Sequence, residues 1–588
     1  MKKAWALTNN KALINFSQNY CDTEISVLDS EGFRSVLEHY FNNAKKRKSS
    51  LYYFIVELVK EDDLDLIIKE ITTVFKLLLI MDSKQIANNF DEYKNLFEKK
   101  HQFRKFIEEV YTFWRNLERY AIIHVNQSTT GLFGTTFIQS KEQFDSLIIN
   151  LYRTISNNST MDKPTVYRQV PAGTNAAMVV YDAIWPIPKG YEILKDIPFI
   201  EEIVLQSPFI TYPSGNTRNG YFKELKINPL KRCKINPENF FCYPAKVGEL
   251  LAYVFVERDF LTHGVSLANL FELPSIEEIS GKKPELLVIF GAKDNRNELV
   301  SGYLDDKEND LLVGYVSADK RHDYFGYMKK IILTLNNLYN IKQGKLPIHG
   351  AMVKIVLNNG DKANVVIVGD SGVGKSESIE ALRSLKANNI SEMTIIFDDM
   401  GTFAKEDNKI KAYGTEIGAF VRLDDLEEGY AFKELDRSIF MNPDKINSRL
   451  ITPVSNYQDI IQGLPIDILL YANNYSELKP NKEAIKFFDD LETAKSVFIE
   501  GKRMSKGTTT ETGMTTSFFA NPFGPYQMES ETRKIIDDIF QQLASDGTKM
   551  GVLNTQLGVS GMEKKGPKQA AIDLLFQIKK LNEKKEVI

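Results

Sequence analysis

The sequence predicts an α/β protein in which a mixed sheet feeds a phosphate-binding loop. Three observations lead there. An apolar, β-branched run at 365–368 meets a glycine-rich turn and then a helical pattern carrying Ile379, Leu382 and Leu385. A second apolar run, 393–400 (MTIIFDDM), reads as a neighbouring strand ending in Asp398 and Asp399. Short strands separated by prolines and glycines fill the middle of the chain, as at 177–181 and 285–290.

At 588 residues the chain exceeds what one hydrophobic core serves, and its texture divides three ways. Residues 1–160 read as mainly helical. Within them 30–125 is helix-like throughout, with Phe103, Phe106, Ile107, Val110, Tyr111 and Trp114 on one face, which predicts a helical bundle. The most apolar stretch, 71–81, is broken by Lys76 and too short to span a bilayer, so it reads as a buried helix. The cluster Lys45 to Lys48 reads as a solvated loop. A further helix is expected over 143–155 and turns over 156–164. Residues 165–340 read as a smaller α/β domain, and 341–588 as the nucleotide-binding domain.

Seventy-four basic residues against 78 acidic ones leave a net charge of −4, so there is no bulk electrostatic ground for a nucleic-acid or membrane partner. The three cysteines, Cys21, Cys233 and Cys242, form no C-x-x-C pair, and no signal-type apolar core follows Met1. The expectation is a reducing cytoplasm, without disulfides or structural zinc.

Gly369, Asp370, Ser371, Gly372, Val373, Gly374, Lys375 and Ser376 match G-x-x-x-x-G-K-[ST] in the strand-turn-helix setting that motif requires. The glycines let successive N–H groups face phosphate oxygens, and the helix starting near Lys375 adds its positive end. Lys375 is expected to reach the β and γ phosphates of ATP or another nucleoside triphosphate, and Ser376 to ligate the bridging Mg2+. Asp398 or Asp399 is the expected acidic metal ligand or general base, although an Asp-Asp surface turn would look the same in isolation. Tyr324 to Lys330 opens a helix running to about Tyr339, and His349 and Gly350 stand just before a strand at 351–357. Alone, paired lysines usually face solvent, a lone histidine is usually structural, and Arg218 in its glycine-bearing loop reads as a surface residue.

In order, the segments YFGYMKK, HGAMV, GDSGVGKS and FDD resemble the ATP-dependent phosphoenolpyruvate carboxykinases, and the likeness continues through Glu416, Arg422, 447–453 (NSRLITP) and 519–524 (FANPFG). It covers about 321–526. The resemblance implies a carboxykinase-type P-loop domain with mixed sheet, preceded by a substrate-side α/β domain and the helical N-terminal region. It further implies a catalytic Mn2+ held by Lys330, His349 and Asp399, with Ser376 on the nucleotide's Mg2+ and Arg449 on the transferring phosphoryl group. A lysine ligates metal only when neutral, which burial and a nearby dication favour. Two features depart from that family. Asp370 and Ser376-Glu377 resemble the G-D-S-G-x-G-K-S-E loop of HPr kinases, and Thr512 stands where the carboxykinases place an arginine.

Three readings follow. The first is nucleotide-dependent conversion of oxaloacetate, a small carboxylate, into phosphoenolpyruvate. The second is an HPr-kinase-like enzyme acting on a protein hydroxyl or small metabolite, with Asp398 or Asp399 as base. The third is a nucleotide-binding sensor without turnover, whose N-terminal helices contact a protein partner. Arg218 is the candidate for the carboxylate-binding arginine.

Overall fold

The computed structural model describes every residue except 1–2, 9, 61, 125–132, 161–171, 219–220, 297–299, 386–388, 424–434, 480–481, 506–512 and 586–588. The protein is α/β with mixed sheets and divides into two units, Met1–Ala183 with Pro198–Gln206, and Ile184–Ile197 with Ser207–Ile588. The segments 165–340 and 341–588 both contribute to the second unit.

The first unit differs from the helical bundle that its periodicity suggests. Its helices, among them Glu31–Lys46, Leu64–Ile80, Lys100–Asn116 and Phe133–Thr160, accompany a sheet of strands Trp5–Thr8, Lys11–Asn15, Glu118–His124, Ala176–Tyr181 and Phe199–Leu205, in that order. The second and third strands are parallel, as are the third and fourth, so the intervening helices are crossovers. Glu118–His124 hides in the sequence because its first residues are charged. Lys11 and Glu118 form a buried ion pair, and buried Arg119 donates to the carbonyls of Trp114, Arg115, Leu117 and Gly173.

The stripe Phe103, Phe106, Ile107, Val110 and Tyr111 is buried as expected, while Trp114 is half-buried with its ring centroid 6.2 Å from that of Trp5. Lys45 and Lys46 form the basic last turn of a helix capped by Arg47, where their charges suit its negative C-terminal end. Of the expected turn region, 156–160 is helical and 161–164 lies outside the described residues. Among the described residues no helix is long and apolar enough to cross a membrane.

The second unit contains two larger sheets. One orders Phe240–Val247, Leu250–Glu257, Leu286–Asp294, Leu311–Ser317 and Ser301–Asp306, its three middle strands parallel. Continuous apolar runs such as 286–290 are what parallel strands covered on both faces require. The helix Phe325–Lys342 contacts this sheet through Leu311–Ser317 and the other through Leu346–Leu357, and is buried along most of its length. Gly314 permits the approach, since a Cβ there would stand 2.6 Å from Ile331.

The other sheet runs Leu464–Pro465, Lys409–Gly414, Ile390–Glu406, Leu346–Leu357, Lys362–Val368, Ile468–Asn473, Lys549–Asn554 and Ile485–Phe487. One face packs on Ile379 and Leu382 of the loop helix and on Leu574 and Ile578 of the C-terminal helix. The other packs on Phe498, Ile536 and Phe540. Two boundaries differ from expectation. His349 lies inside its strand, and Asp398 and Asp399 lie mid-strand, because pairing with both Leu346–Leu357 and Lys409–Gly414 carries Ile390–Glu406 well past them. Gly350 is opposite Val368 on one side and Asp399 on the other. A Cβ at Gly350 would stand 2.7 Å from the Ile367 carbonyl, so glycine lets the loop strand and the acidic strand close on the same point.

In the first unit, Asp145 pairs with buried Lys141 and accepts from the Thr174 amide at 2.8 Å. Asp145→Ala should cost about 3–5 kcal/mol by removing that ammonium's counter-charge and leaving it on the neutral Gln206 Oε1 at 2.7 Å, whereas Lys141→Met/Asp145→Leu should recover most of the loss. Chemical denaturation of the two variants checks this.

Candidate functional site

The loop is built by its neighbours as much as by its own glycines. Gly374 has φ of 96°, and a Cβ there would meet the Thr555 side chain at 2.7 Å. Thr555 Oγ1 donates to the Val373 carbonyl (2.6 Å) and Asn474 Nδ2 to that of Gly372 (3.0 Å), which pins the turn to the ends of the two adjoining strands. Lys375 Nζ donates to the carbonyls of Gly369 (2.7 Å) and Asp370 (3.0 Å). Burial holds its pKa below the ordinary lysine value.

The two acids have different partners. Ser376 Oγ donates to Asp398 Oδ1 at 2.9 Å, the hydroxyl-carboxylate pair that suits a nucleotide-bound Mg2+. Burial pushes the Asp398 carboxyl upward. Asp399 Oδ2 accepts from Lys329 Nζ at 2.6 Å and from Lys330 Nζ at 2.7 Å, while Oδ1 lies 3.0 Å from His349 Nε2. Burial alone would raise the Asp399 pKa, but the two ammonium groups outweigh it and hold this carboxyl well below the usual range. Lys329 is almost fully buried, with Glu416 Oε1 3.3 Å away. Lys330 is lowered to about 8 by burial, with the charge of Lys329 adding to the effect. The lysine pair is therefore interior, contrary to the solvent-facing expectation for such pairs.

His349 is fully buried, and burial together with the charge of Lys375 lowers it to about 4. Its Nδ1–H donates to the Ala520 carbonyl at 2.9 Å. Phe519 and Ala520 both adopt left-handed backbone (φ 53° and 51°), a strained pair that aims this carbonyl at the ring. A neutral imidazole with its one N–H engaged there turns a lone pair toward the Asp399 carboxylate. Two acceptors facing each other at 3.0 Å want a cation or a proton between them, so the donor set of Lys330, His349 and Asp399 fits a divalent metal. Among the described residues no three or more His, Cys, Asp or Glu side chains are placed together so as to hold a metal ion, so such a site needs the lysine.

Lys330, Asp398 and Asp399, but not the fully buried His349, line a cleft of about 420 Å³ together with the phosphate loop, Arg218, Arg422 and Arg449. Arg422 and Arg449 are directly opposed on paired strands. Like charges so placed repel, and Arg449 Nε is buried with no hydrogen-bond partner among the described residues. Both features favour an anion in the cleft. Arg218 is half-buried with its guanidinium 4.6 Å from the Phe523 ring centroid; its loop is tied down by Ser214 and Gly215 amides donating to Asp323.

Not every expected residue faces the cleft. The Asp370 side chain turns to Arg503 Nε and Ser517 Oγ, each at 3.1 Å, and so holds the loop from behind. Val373 is a core side chain, leaving only its backbone for a ligand. Thr512 lies outside the described residues. Sequence reasoning missed Lys329, Arg422, Arg503, Asn474 and Thr555. The first two stand inside segments that were quoted without a role, and the others carry no local signal.

No known protein family and no curated relative matches this chain. The functional reading therefore stands on the cleft and on the resemblance of its motifs.

Because the folded protein keeps His349 neutral down to about pH 4 while the unfolded chain protonates near the ordinary 6.5, His349 adds stability in full above pH 6.5. That stability is lost as pH falls toward 4. In chelator-treated protein the wild type should lose roughly 2–3 kcal/mol more than His349→Gln between pH 7 and 4.5, measured by urea denaturation at both pH values.

Proposed function

We propose that the protein is a nucleotide-dependent phosphoryl-transfer enzyme of carboxykinase-like chemistry, taking oxaloacetate and a nucleoside triphosphate to phosphoenolpyruvate, CO2 and the nucleoside diphosphate. The observation that carries this reading is the convergence of Lys330 and His349 on Asp399 beside the phosphate loop. A kinase that uses only nucleotide-bound Mg2+ has no need of that second donor set.

In this reading the loop amides and Lys375 hold the β and γ phosphates, and Ser376 with Asp398 holds the Mg2+. Arg449 and Arg422 neutralise charge on the transferring group, which leaves positioning as the remaining requirement. Lys330, His349 and Asp399 hold Mn2+, which when bound supplies Lewis acidity toward the substrate's oxygen. Asp399 keeps the lysine close, and the Ala520 carbonyl keeps the imidazole lone pair turned toward the site. Arg218 orients the substrate carboxylate.

A kinase of a protein hydroxyl or small metabolite is the second reading. It is favoured by Asp398, whose burial raises it toward the range of a working base, and by the engagement of Asp370 within the loop.

Purified protein given ATP, Mn2+ and oxaloacetate should form phosphoenolpyruvate, and Lys375→Ala should lower that rate on the order of 100-fold or more. Absence of product from the wild type refutes the carboxykinase chemistry. Lys330→Met and His349→Ala should each weaken Mn2+ binding on the order of tenfold or more, followed by electron paramagnetic resonance. Wild-type Mn2+ affinity in both variants would leave the kinase as the better reading.

A further inference from the structure

The first unit contains a pocket of about 130 Å³ whose interior is formed by buried side chains, among them Ile14, Val36, Phe75, Ile107, Phe144 and Ile148. It opens past Asn19, Cys21 and Glu31, which are exposed or half-buried. Two aromatic stacks shape it. Tyr111 lies on Tyr152 at 3.8 Å with the rings 10° from parallel, and Trp5 leans on Trp114. Gly32 makes room for the Trp5 ring, because a Cβ there would already stand 3.0 Å from it.

Two of the residues lining it each carry a buried polar atom that is unsatisfied. Trp5 Nε1–H and the Tyr111 hydroxyl are buried, and neither has a hydrogen-bond partner among the described residues. An indole N–H can only donate, and burial raises the Tyr111 pKa, which keeps its hydroxyl a donor as well. Buried donors left unmade are costly, and natural structures seldom keep two around one pocket without a group to receive them.

We propose that this pocket is a binding site for a small, neutral aromatic molecule bearing a hydrogen-bond-accepting oxygen, which receives the Trp5 indole N–H and the Tyr111 hydroxyl. Size sets the first limit, since a dry apolar cavity of about 150 Å³ accommodates benzene. Charge sets the second. Among the described residues lining the pocket none is basic and Glu31 is one of them, while Arg119, one of the arginines whose charge reaches the Tyr111 oxygen, is already engaged by four backbone carbonyls, so a neutral ligand fits better than a carboxylate. The ring would meet aromatic and aliphatic walls on all sides, and the oxygen would relieve the two donors. This site is independent of the phosphoryl-transfer reading, which concerns the other unit.

Phenol and its isostere toluene, titrated calorimetrically into the full-length protein, separate the two contributions. Phenol should bind the wild type about three- to tenfold more tightly than toluene, the difference being the oxygen's hydrogen bonds. Tyr111→Phe, which keeps the stacked ring, should lose most of the phenol preference and leave toluene unchanged. Because an orphan hydroxyl adds nothing to stability, its melting temperature should match or exceed that of the wild type. Ile148→Trp, which fills the space, should abolish binding of both probes, and Val27→Phe serves the same purpose should the first fail to fold by circular dichroism. The proposal is overturned if the wild type binds neither probe, if phenol binds no better than toluene, or if a folded, filled variant binds both as the wild type does. Phenol affinity unchanged in both Tyr111→Phe and Trp5→Phe would overturn it equally.

Discussion

The second unit depends on how Asp399 is compensated. A carboxylate buried in a protein interior is tolerated only with opposite charge at hand, and here two lysines of one helix reach the same oxygen from 2.6 and 2.7 Å. The dependence is mutual, because Lys329 and Lys330 would be equally costly without the acid. The helix Phe325–Lys342 is thereby tied to the strand Ile390–Glu406 at one register, and that register places Lys330 over the cleft. Gly350 completes the arrangement by letting the loop strand and the acidic strand flank it closely.

Around this point the protein accepts several arrangements that cost stability elsewhere. Phe519 and Ala520 are both left-handed, Arg422 and Arg449 face each other across a strand pair, and the buried His349 ring has an acceptor oxygen at each nitrogen, the Ala520 carbonyl at 2.9 Å and the Asp399 carboxylate at 3.0 Å. Each is unfavourable alone, by about 1–3 kcal/mol for a strained backbone residue. They occur within one small region, and an anionic substrate with its cations would relieve the charge-based ones together. Strain gathered where a ligand can release it is the pattern of a preorganised site.

The first unit handles buried polarity differently. Its interior ion pairs, Lys11 with Glu118 and Lys141 with Asp145, are further satisfied by Tyr120, Gln206 and the Thr174 amide and tie strands to crossovers. The unsatisfied donors of Trp5 and Tyr111 belong instead to residues that line a largely apolar pocket. One group of polar residues is structural because its partners are covalently part of the fold, and the other lacks partners within the described chain.

Local pattern in the sequence determined the strand-turn-helix around Gly369 to Ser376, the apolar stripe of Phe103 to Tyr111 and the α/β class. Each depends on spacing that a helix or strand reads directly from its own residues. The separation of Asp398, on Ser376, from Asp399, on the lysines and His349, was decided only in three dimensions, because adjacent strand residues find partners from different elements. The same holds for the interior placement of Lys329 and for the role of Asp370, turned onto Arg503 more than a hundred residues away. The strand Glu118–His124 was misread for a related reason. Its charged start resembles a helix surface, and only pairing with Lys11–Asn15 supplies the opposite charge that lets it be buried.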